Sequence, residues 1–423
     1  PLPSDLRRQR QMCIRDRERS SHMRFSDSAK RTALSGWNQN RKLLLESRSR
    51  CCQSDLLAVK RFLDTGTVNR DSFDSMTAQV TDLNVAFNVP LPAPALLTHE
   101  QPRSDAQAST VTESRKRIED ILQGNSDRFM VIVGPCSIHD PKQGIEYAEK
   151  LAVLSEEVKE RIEIVMRVYF EKPRTSVGWK GLIMDPDLDG TANLAEGLRV
   201  ARKLLCDVVD SGLPTATEFL DPITPQYIAD LICWAAIGAR TVESQTHRQM
   251  ASGLSMPVGF KNTTYGGMSA VVNALKAAIA PQTFFGISPE GVASMVSTKG
   301  NANCHIVLRG GDDGPNFDEA SVKKAIAGLK AGSVSPAIVT DASHANCSKD
   351  YEKMPGVFDE IVRQRAAGNR WVVGAMLESN LVEGNQKILD DPSHMIWGQS
   401  VTDPCISWET TERIIKEAAE KLG

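Results

Sequence analysis

Arg167, Lys172 and Arg174 crowd the end of one apolar run, which breaks at Lys172-Pro173. Proline removes a backbone donor and stops further strand pairing there. Guanidinium and ammonium groups at a strand end match carboxylate and phosphate oxygens, so a small, multiply anionic ligand is expected. Arg240, Lys261 and Arg309 follow later apolar runs in the same way. Gathered in one cleft, these cations would repel one another unless anions offset them, which points to two phosphorylated substrates or one with several anionic groups. A second set offers metal-ligand atoms: the thiol of Cys136, the imidazole of His344 and the carboxylates of Glu378 and Asp403. That mixture suits one divalent ion of the Mn, Fe, Co or Zn class better than Mg or Ca. Cys347, just past His344, is a competing thiol. On a strand-to-helix turn it need not face the same mouth.

Something has to bring such distant residues together. Strand-like apolar runs are Phe129 to Val133, Glu163 to Phe170, Pro214 to Leu220, Ala235 to Ala239, Pro257 to Phe260, His305 to Leu308, Ala337 to Thr340 and Trp371 to Met376. Between them lie helix-like stretches: Gln143 to Glu160, Ala195 to Val209, Gln226 to Trp234, Ala270 to Ala280, Ala320 to Lys330 and Val357 to Ala366, with Glu409 to Leu422 closing the chain. Continuous apolar strands alternating with helices predict a parallel sheet covered on both faces. This α/β rhythm predicts a (β/α)8 TIM barrel with an N-terminal extension. Thr283 to Thr298, two short apolar runs around Ser288-Pro-Glu-Gly291, reads as a β-hairpin inserted before the sixth strand. Each apolar run ends in a reactive or charged residue: Cys136, Arg167 with Lys172, Glu218, Arg240, Lys261, Arg309, His344 and Glu378. In a barrel all of them converge on the mouth where such folds carry their sites.

Charge divides the chain unevenly. Residues 1–75 hold 16 Lys+Arg against 9 Asp+Glu, hence +7, whereas the 423-residue whole is −3. This leader is Ser- and Arg-rich without periodic apolar patterning, and a non-native or dispensable segment before a start at Met76 is expected. The domain reading is therefore leader 1–75, an N-terminal arm 76–125 for oligomer and regulatory contacts, and a barrel 126–423 with its hairpin at about 283–298. The near-neutral balance gives no push toward nucleic acid or membrane, and no apolar run approaches a membrane span. Nine cysteines, an odd number without paired spacing, fit a reducing, cytoplasmic setting.

The motifs carry a resemblance. Gly134-Pro-Cys-Ser-Ile-His-Asp140, Met166-Arg-Val-Tyr-Phe-Glu-Lys-Pro-Arg-Thr175, Val177-Gly-Trp-Lys-Gly-Leu182, Ile237-Gly-Ala-Arg-Thr241, Val258-Gly-Phe-Lys-Asn262, Leu308-Arg-Gly-Gly311, Ser343-His-Ala-Asn346 and Leu381-Val-Glu-Gly-Asn-Gln386 resemble type I 3-deoxy-D-arabino-heptulosonate-7-phosphate (DAHP) synthases from about Met76 onward. The resemblance implies a transferase of the shikimate pathway, which condenses phosphoenolpyruvate with erythrose 4-phosphate, releases phosphate and needs a divalent metal. It implies that Arg167, Lys172, Arg240, Lys261 and Arg309 hold phosphoenolpyruvate, and that Pro173, Arg174 and Thr175 meet erythrose 4-phosphate. Cys136, His344, Glu378 and Asp403 match the metal ligands. Catalytic roles fall to Lys172, Glu218 and His344, with Glu218 positioning a water. The resemblance departs at Thr263-Thr264-Tyr265-Gly266 and at Asp312-Asp313-Gly314.

Residue chemistry agrees with that implication. Carbon 3 of an enol ester is nucleophilic, the sugar aldehyde needs an electrophilic partner on its oxygen, and water must add at carbon 2 before phosphate leaves. Lys172, set among cations, is expected to lose its proton more easily than a free lysine. Relatives of this kind are homo-dimers or homo-tetramers inhibited by an aromatic amino acid, so the arm at about 82–100 and the hairpin at 283–298 are expected to form an effector site. Two other readings compete: the sister condensation with arabinose 5-phosphate, and a silent regulatory subunit that keeps the barrel.

Overall fold

The computed structural model describes residues 80–174 and 178–423. The expected leader 1–75 and Thr175 lie outside the described residues. The chain divides into two units at Asn88. In the described part of the first unit, residues 80–88 are exposed, with a turn closed by Val85 N–H donating to Asp82 O at 3.2 Å.

The second unit opens with helices α1 (Pro94–Glu100) and α2 (Asp105–Gln123). There follow β1 (Phe129–Gly134), α3 (Pro141–Val158), β2 (Ile162–Arg167), α4 (Leu194–Asp210), β3 (Thr215–Glu218), α5 (Pro225–Ile228), β4 (Trp234–Ile237), α6 (Gln245–Gly253), β5 (Val258–Lys261) and α7 (Ser269–Ile279). The hairpin strands β6 (Thr283–Ile287) and β7 (Ala293–Ser297) come next, then β8 (Cys304–Leu308), α8 (Glu319–Ala331), β9 (Ile338–Asp341), α9 (Met354–Ala366), β10 (Val372–Glu378) and α10 (Trp408–Lys421). Helix starts follow local chemistry. Ser104 and Gln107 form a capping box on α2, and Asp140 caps α3 with Pro141 in its first turn.

Eight strands close into a barrel in the order β1-β10-β9-β8-β5-β4-β3-β2, all parallel. Every residue of these strands is buried, as continuous runs such as Phe-Met-Val-Ile-Val-Gly require when helices cover the outside. Fully burying one such Val, Ile or Phe stabilises by about 1.5 to 3 kcal/mol, so the barrel wall is the principal apolar core. Gly259 lets the wall close around a large side chain. A Cβ there would stand 2.4 Å from the Trp234 ring. The (β/α)8 barrel and the antiparallel hairpin before its sixth strand are as the sequence predicts.

Some boundaries differ. The helix expected over 226–234 is only α5 plus a short turn, Ala229–Leu231, because Trp234 already pairs with Ala216 in the sheet. Strand β2 stops at Arg167 rather than Phe170; there Tyr169 O turns to accept from Ile138 N–H at 3.0 Å. Helices α1, α2 and α6 were not expected. In α6, Gln-Thr-His-Arg-Gln-Met-Ala-Ser-Gly has too few apolar residues for a periodic signal, and the Ser244 cap marks its start. The arm touches the hairpin turn through Ala95 N–H donating to Pro289 O at 2.7 Å.

Candidate active site at the barrel mouth

The C-terminal strand ends bring the candidate residues to one cleft of about 230 Å³. Lys172, Pro173, Arg174, Glu218, Arg240, Lys261, Arg309, His344, Glu378 and Asp403 all line it. Cys136 does not line it, and neither does Arg167. Arg167 lies buried beneath the floor, where its Nη2 donates to Glu378 Oε1 at 3.0 Å and to Cys136 O at 3.4 Å. The Tyr169 ring supports it from the other side, 4.0 Å from the guanidinium carbon, a cation–π contact strengthened by desolvation. Its Nη1 has no hydrogen-bond partner among the described residues.

The metal candidates converge at the seam where β1 meets β10. Register sets Gly134 beside Glu378, so the residues just past β1 stand against the Glu378 carboxylate. Asp403 is carried in by a loop pinned through Gly384 N–H to Cys405 O at 2.8 Å and Asn385 Nδ2 to Thr402 O at 2.9 Å. The ligand atoms of Cys136, Glu378 and Asp403 lie within 4.8 Å of one another. His344 Nε2 is 3.7 Å from Glu378 Oε1. Its backbone is left-handed, φ +58°, which costs a non-glycine residue about 1 kcal/mol or more and persists only where neighbours dictate it. Burial, with Glu378 assisting and Lys172 opposing, pushes the Cys136 thiol up to about 11, so a cation is what makes its thiolate available. Converging soft and hard donors fit a divalent ion of the class expected.

One expectation needs revising. Lys172 was expected to deprotonate easily. Burial does lower its pKa, yet Cys136, Glu378 and Asp403 raise it more, and the net shift is upward. Counting only the cations misses the Glu378 and Asp403 carboxylates close to Lys172. Cys347 lines the mouth, but its thiol turns to His344 O at 3.5 Å and stands outside the Cys136, Glu378 and Asp403 cluster. Tyr265 and its neighbours do not stand alone, for Asp312 N–H donates to Thr264 O at 3.0 Å. The two departures from the family pattern thus pack on each other.

Several site residues escaped the reading of the sequence. Asp341, fully buried at the end of β9, is 2.9 Å from both Lys261 Nζ and His344 Nδ1. Despite burial, His344 and Lys261 hold its carboxyl well below the usual range. A buried amide network ties three strand ends. Asn262 accepts from Arg309 N–H at 2.9 Å and donates to Gly310 O at 2.8 Å; Asn346 accepts from Asn316 N–H at 2.8 Å and donates to Asp341 O at 2.8 Å. Glu171, buried beside Lys172, accepts from Leu220 N–H, Asp221 N–H and Thr224 Oγ1. Glu218 needs a glycine opposite it, since a Cβ at Gly238 would stand 2.1 Å from its Oε1.

Comparison with known proteins agrees with this arrangement. The family model described as "DAHP synthetase I family" matches residues 103–416. The chain is 50% identical over 329 residues to "Phospho-2-dehydro-3-deoxyheptonate aldolase" of Haemophilus influenzae, covering 78% of this chain and 91% of that one. To the "Phe-sensitive" enzyme of that name from Escherichia coli it is 49% identical over 347 residues, 82% of this chain and 99% of that one. Further relatives carry "Tyr-sensitive" and "Trp-sensitive" in their names. A solved "Phospho-2-dehydro-3-deoxyheptonate aldolase" from Francisella tularensis SCHU S4 superposes with TM-score 0.78 at 48% identity, over 80% of this chain and 98% of that one. With barrel, mouth and sequence in agreement over most of its length, the chain belongs to the DAHP synthetase I family.

Proposed function

We propose that this mouth carries out the family's condensation of phosphoenolpyruvate with erythrose 4-phosphate, with Cys136, His344, Glu378 and Asp403 holding one divalent metal. The carrying observation is that Glu378 and Asp403, which cluster with the Cys136 thiol, and His344 line the same cleft as Lys172, Arg174, Arg240, Lys261 and Arg309. When bound, the ion supplies Lewis acidity to an aldehyde oxygen. The residues do the rest. Lys172, Arg240, Lys261 and Arg309 bind the carboxylate and phosphate of phosphoenolpyruvate, and Arg167 supports that pocket from below. Pro173, Arg174 and Thr175 receive the sugar phosphate. Glu218 Oε1, buried without a hydrogen-bond partner among the described residues, accepts a hydrogen bond from the water that adds at carbon 2. Lys172, whose Nζ donates to Cys136 O at 3.0 Å and which lines the cleft, is placed to pass a hydrogen bond or proton to the substrate.

Phosphate release from phosphoenolpyruvate with each sugar phosphate tests the reading. Turnover with erythrose 4-phosphate far above that with arabinose 5-phosphate is expected, and equal turnover of both overturns the assignment. Release with neither would favour the silent subunit.

An aromatic amino acid is proposed to act as inhibitor away from the mouth. An apolar groove of about 280 Å³ between α6, the β3 loop and the hairpin, lined by Pro225, Met250, Leu254, Phe284, Ile287 and Val296, suits one aromatic side chain. Exposed Phe285 and Met295 on the hairpin suit a homo-oligomeric contact. Rates measured against Phe, Tyr and Trp test the effector, and light scattering tests the assembly. No described helix is long and apolar enough to cross a membrane; a cytoplasmic location is part of this proposal.

A further inference from the structure

We propose that Asp341 is a positioning residue whose single carboxylate anchors Lys261 and His344 together, so that the anion pocket and the metal-ligand set share one support. The inference rests on the reading above, in which Lys261 meets phosphoenolpyruvate and His344 meets the metal. Lys261 and His344 line the cleft whereas Asp341 does not; it stands fully buried behind them. Its Oδ2 lies 2.9 Å from Lys261 Nζ and 2.9 Å from His344 Nδ1, and its Oδ1 accepts from Ser343 N–H at 3.0 Å.

The carboxylate sets the tautomer of the imidazole. Nδ1 stands 2.9 Å from Asp341 Oδ2, off the line of a hydrogen bond among the described residues, so the carboxylate acts as a close negative charge that favours a proton on Nδ1 and leaves Nε2 on the side of Glu378, 3.7 Å away, where a metal would take it. On the other arm, one of the three ammonium donors of Lys261 is spent on Asp341, and the remaining two are left for a ligand oxygen. Asn346 holds the backbone of Asp341 by donating to its carbonyl at 2.8 Å, so the anchor is itself fixed.

One carboxylate serving a cation site and an anion site predicts effects of opposite sign. Asp341→Asn keeps the shape and removes the charge. Mn2+ affinity, titrated into chelator-stripped full-length protein, is expected to fall about 10- to 100-fold, the usual consequence of losing a carboxylate behind a ligating imidazole. Phosphoenolpyruvate affinity, measured on the same metal-free protein, is expected to rise, because the Lys261 ammonium, no longer offset by Asp341, presents its full charge to the anion; an unchanged value overturns the Lys261 arm. A purely structural lesion would weaken both. Unchanged Mn2+ affinity, or loss of both affinities together, overturns the inference. Should Asp341→Asn fail to fold for want of a counterion to Lys261, the pair K261M and K261M/D341N carries the metal comparison with no buried charge stranded in the double variant. The same 10- to 100-fold gap in Mn2+ affinity is expected between those two, and equality overturns. A wild-type protein that binds neither Mn2+ nor phosphoenolpyruvate overturns the functional reading and this inference together; a wild type that binds both, with D341N unaltered, overturns this inference alone.

Discussion

The two ends of the barrel bury polar groups by opposite rules. At the N-terminal end of the strands, Trp234 donates its indole N–H to His305 at 3.1 Å, and burial lowers the imidazole pKa to about 4, so it stays neutral. Nearby Glu163 is matched by Arg117 at 2.9 Å and Arg128 at 2.7 Å. Every one of those groups is either neutral or paired within the protein. At the mouth, Arg167 Nη1 and Glu218 Oε1 are buried without hydrogen-bond partners among the described residues, and cations outnumber the carboxylates that face them. Unsatisfied buried polar groups cost about 1 to 3 kcal/mol each. A fold that closes one end and leaves the other under-satisfied holds a binding site at the second.

Two buried cysteines break or sharpen that contrast most directly. Cys136→Ser at the mouth is expected to abolish metal binding and nearly all turnover, as chelation should, with Mn2+ restoring only the wild type. Cys304→Ser near the other end buries a hydroxyl where burial pushes the thiol up to about 12. It is expected to lose about 1 to 3 kcal/mol of stability with kcat/KM preserved. Cys347→Ser should keep both metal and turnover. Bound-metal analysis and denaturant melts of the three variants decide; loss of metal in Cys347→Ser alone would mean that the wrong thiol had been assigned.

Arginines form the next pair. Arg167→Ala strands the buried Glu378 carboxylate and is expected to cost roughly 2 to 4 kcal/mol in kcat/KM for phosphoenolpyruvate. Arg117→Ala removes one of two partially exposed partners of Glu163. About 1 kcal/mol of stability and no change in kcat/KM is expected. Similar catalytic losses in both would erase the distinction between the ends.

What was legible in the sequence follows the same division. Strands buried on both faces announce themselves as continuous apolar runs, and a charged residue breaking each run is visible without coordinates. Reading the run as ending at His344 passes over Asp341, although the strand itself ends in the aspartate. Asn262, Asn316 and Asn346 carry no charge, so only their hydrogen-bond geometry shows that they brace Arg309 and Asp341. Tyr169 reads as one more apolar strand residue until its ring is found under Arg167. The upward shift of Lys172 depends on how near Cys136, Glu378 and Asp403 come, and spacing along the chain does not encode that distance.

Glu171 tests where the mouth begins. It is buried next to Lys172, and burial pushes its carboxyl from an ordinary 4.5 up to about 8, against the hydrogen bonds from Leu220, Asp221 and Thr224 that favour the anion. A folded-state value above the unfolded one means that, between about pH 4.5 and about 8, the folded protein binds more protons than the unfolded chain. Its contribution to stability is therefore fully present below that window and is lost as pH rises through it. Glu171→Gln is neutral at every pH and nearly isosteric. Urea midpoints of wild type and Glu171→Gln should therefore diverge as pH rises from 5 to 8, with the wild type losing ground to the variant. A wild type that gains ground instead would show that the backbone donors of the β3 loop outweigh burial, and that the carboxylate stands ionised beside Lys172. Glu171 would then belong with the charged groups of the mouth and not with the neutral, closed interior represented by His305.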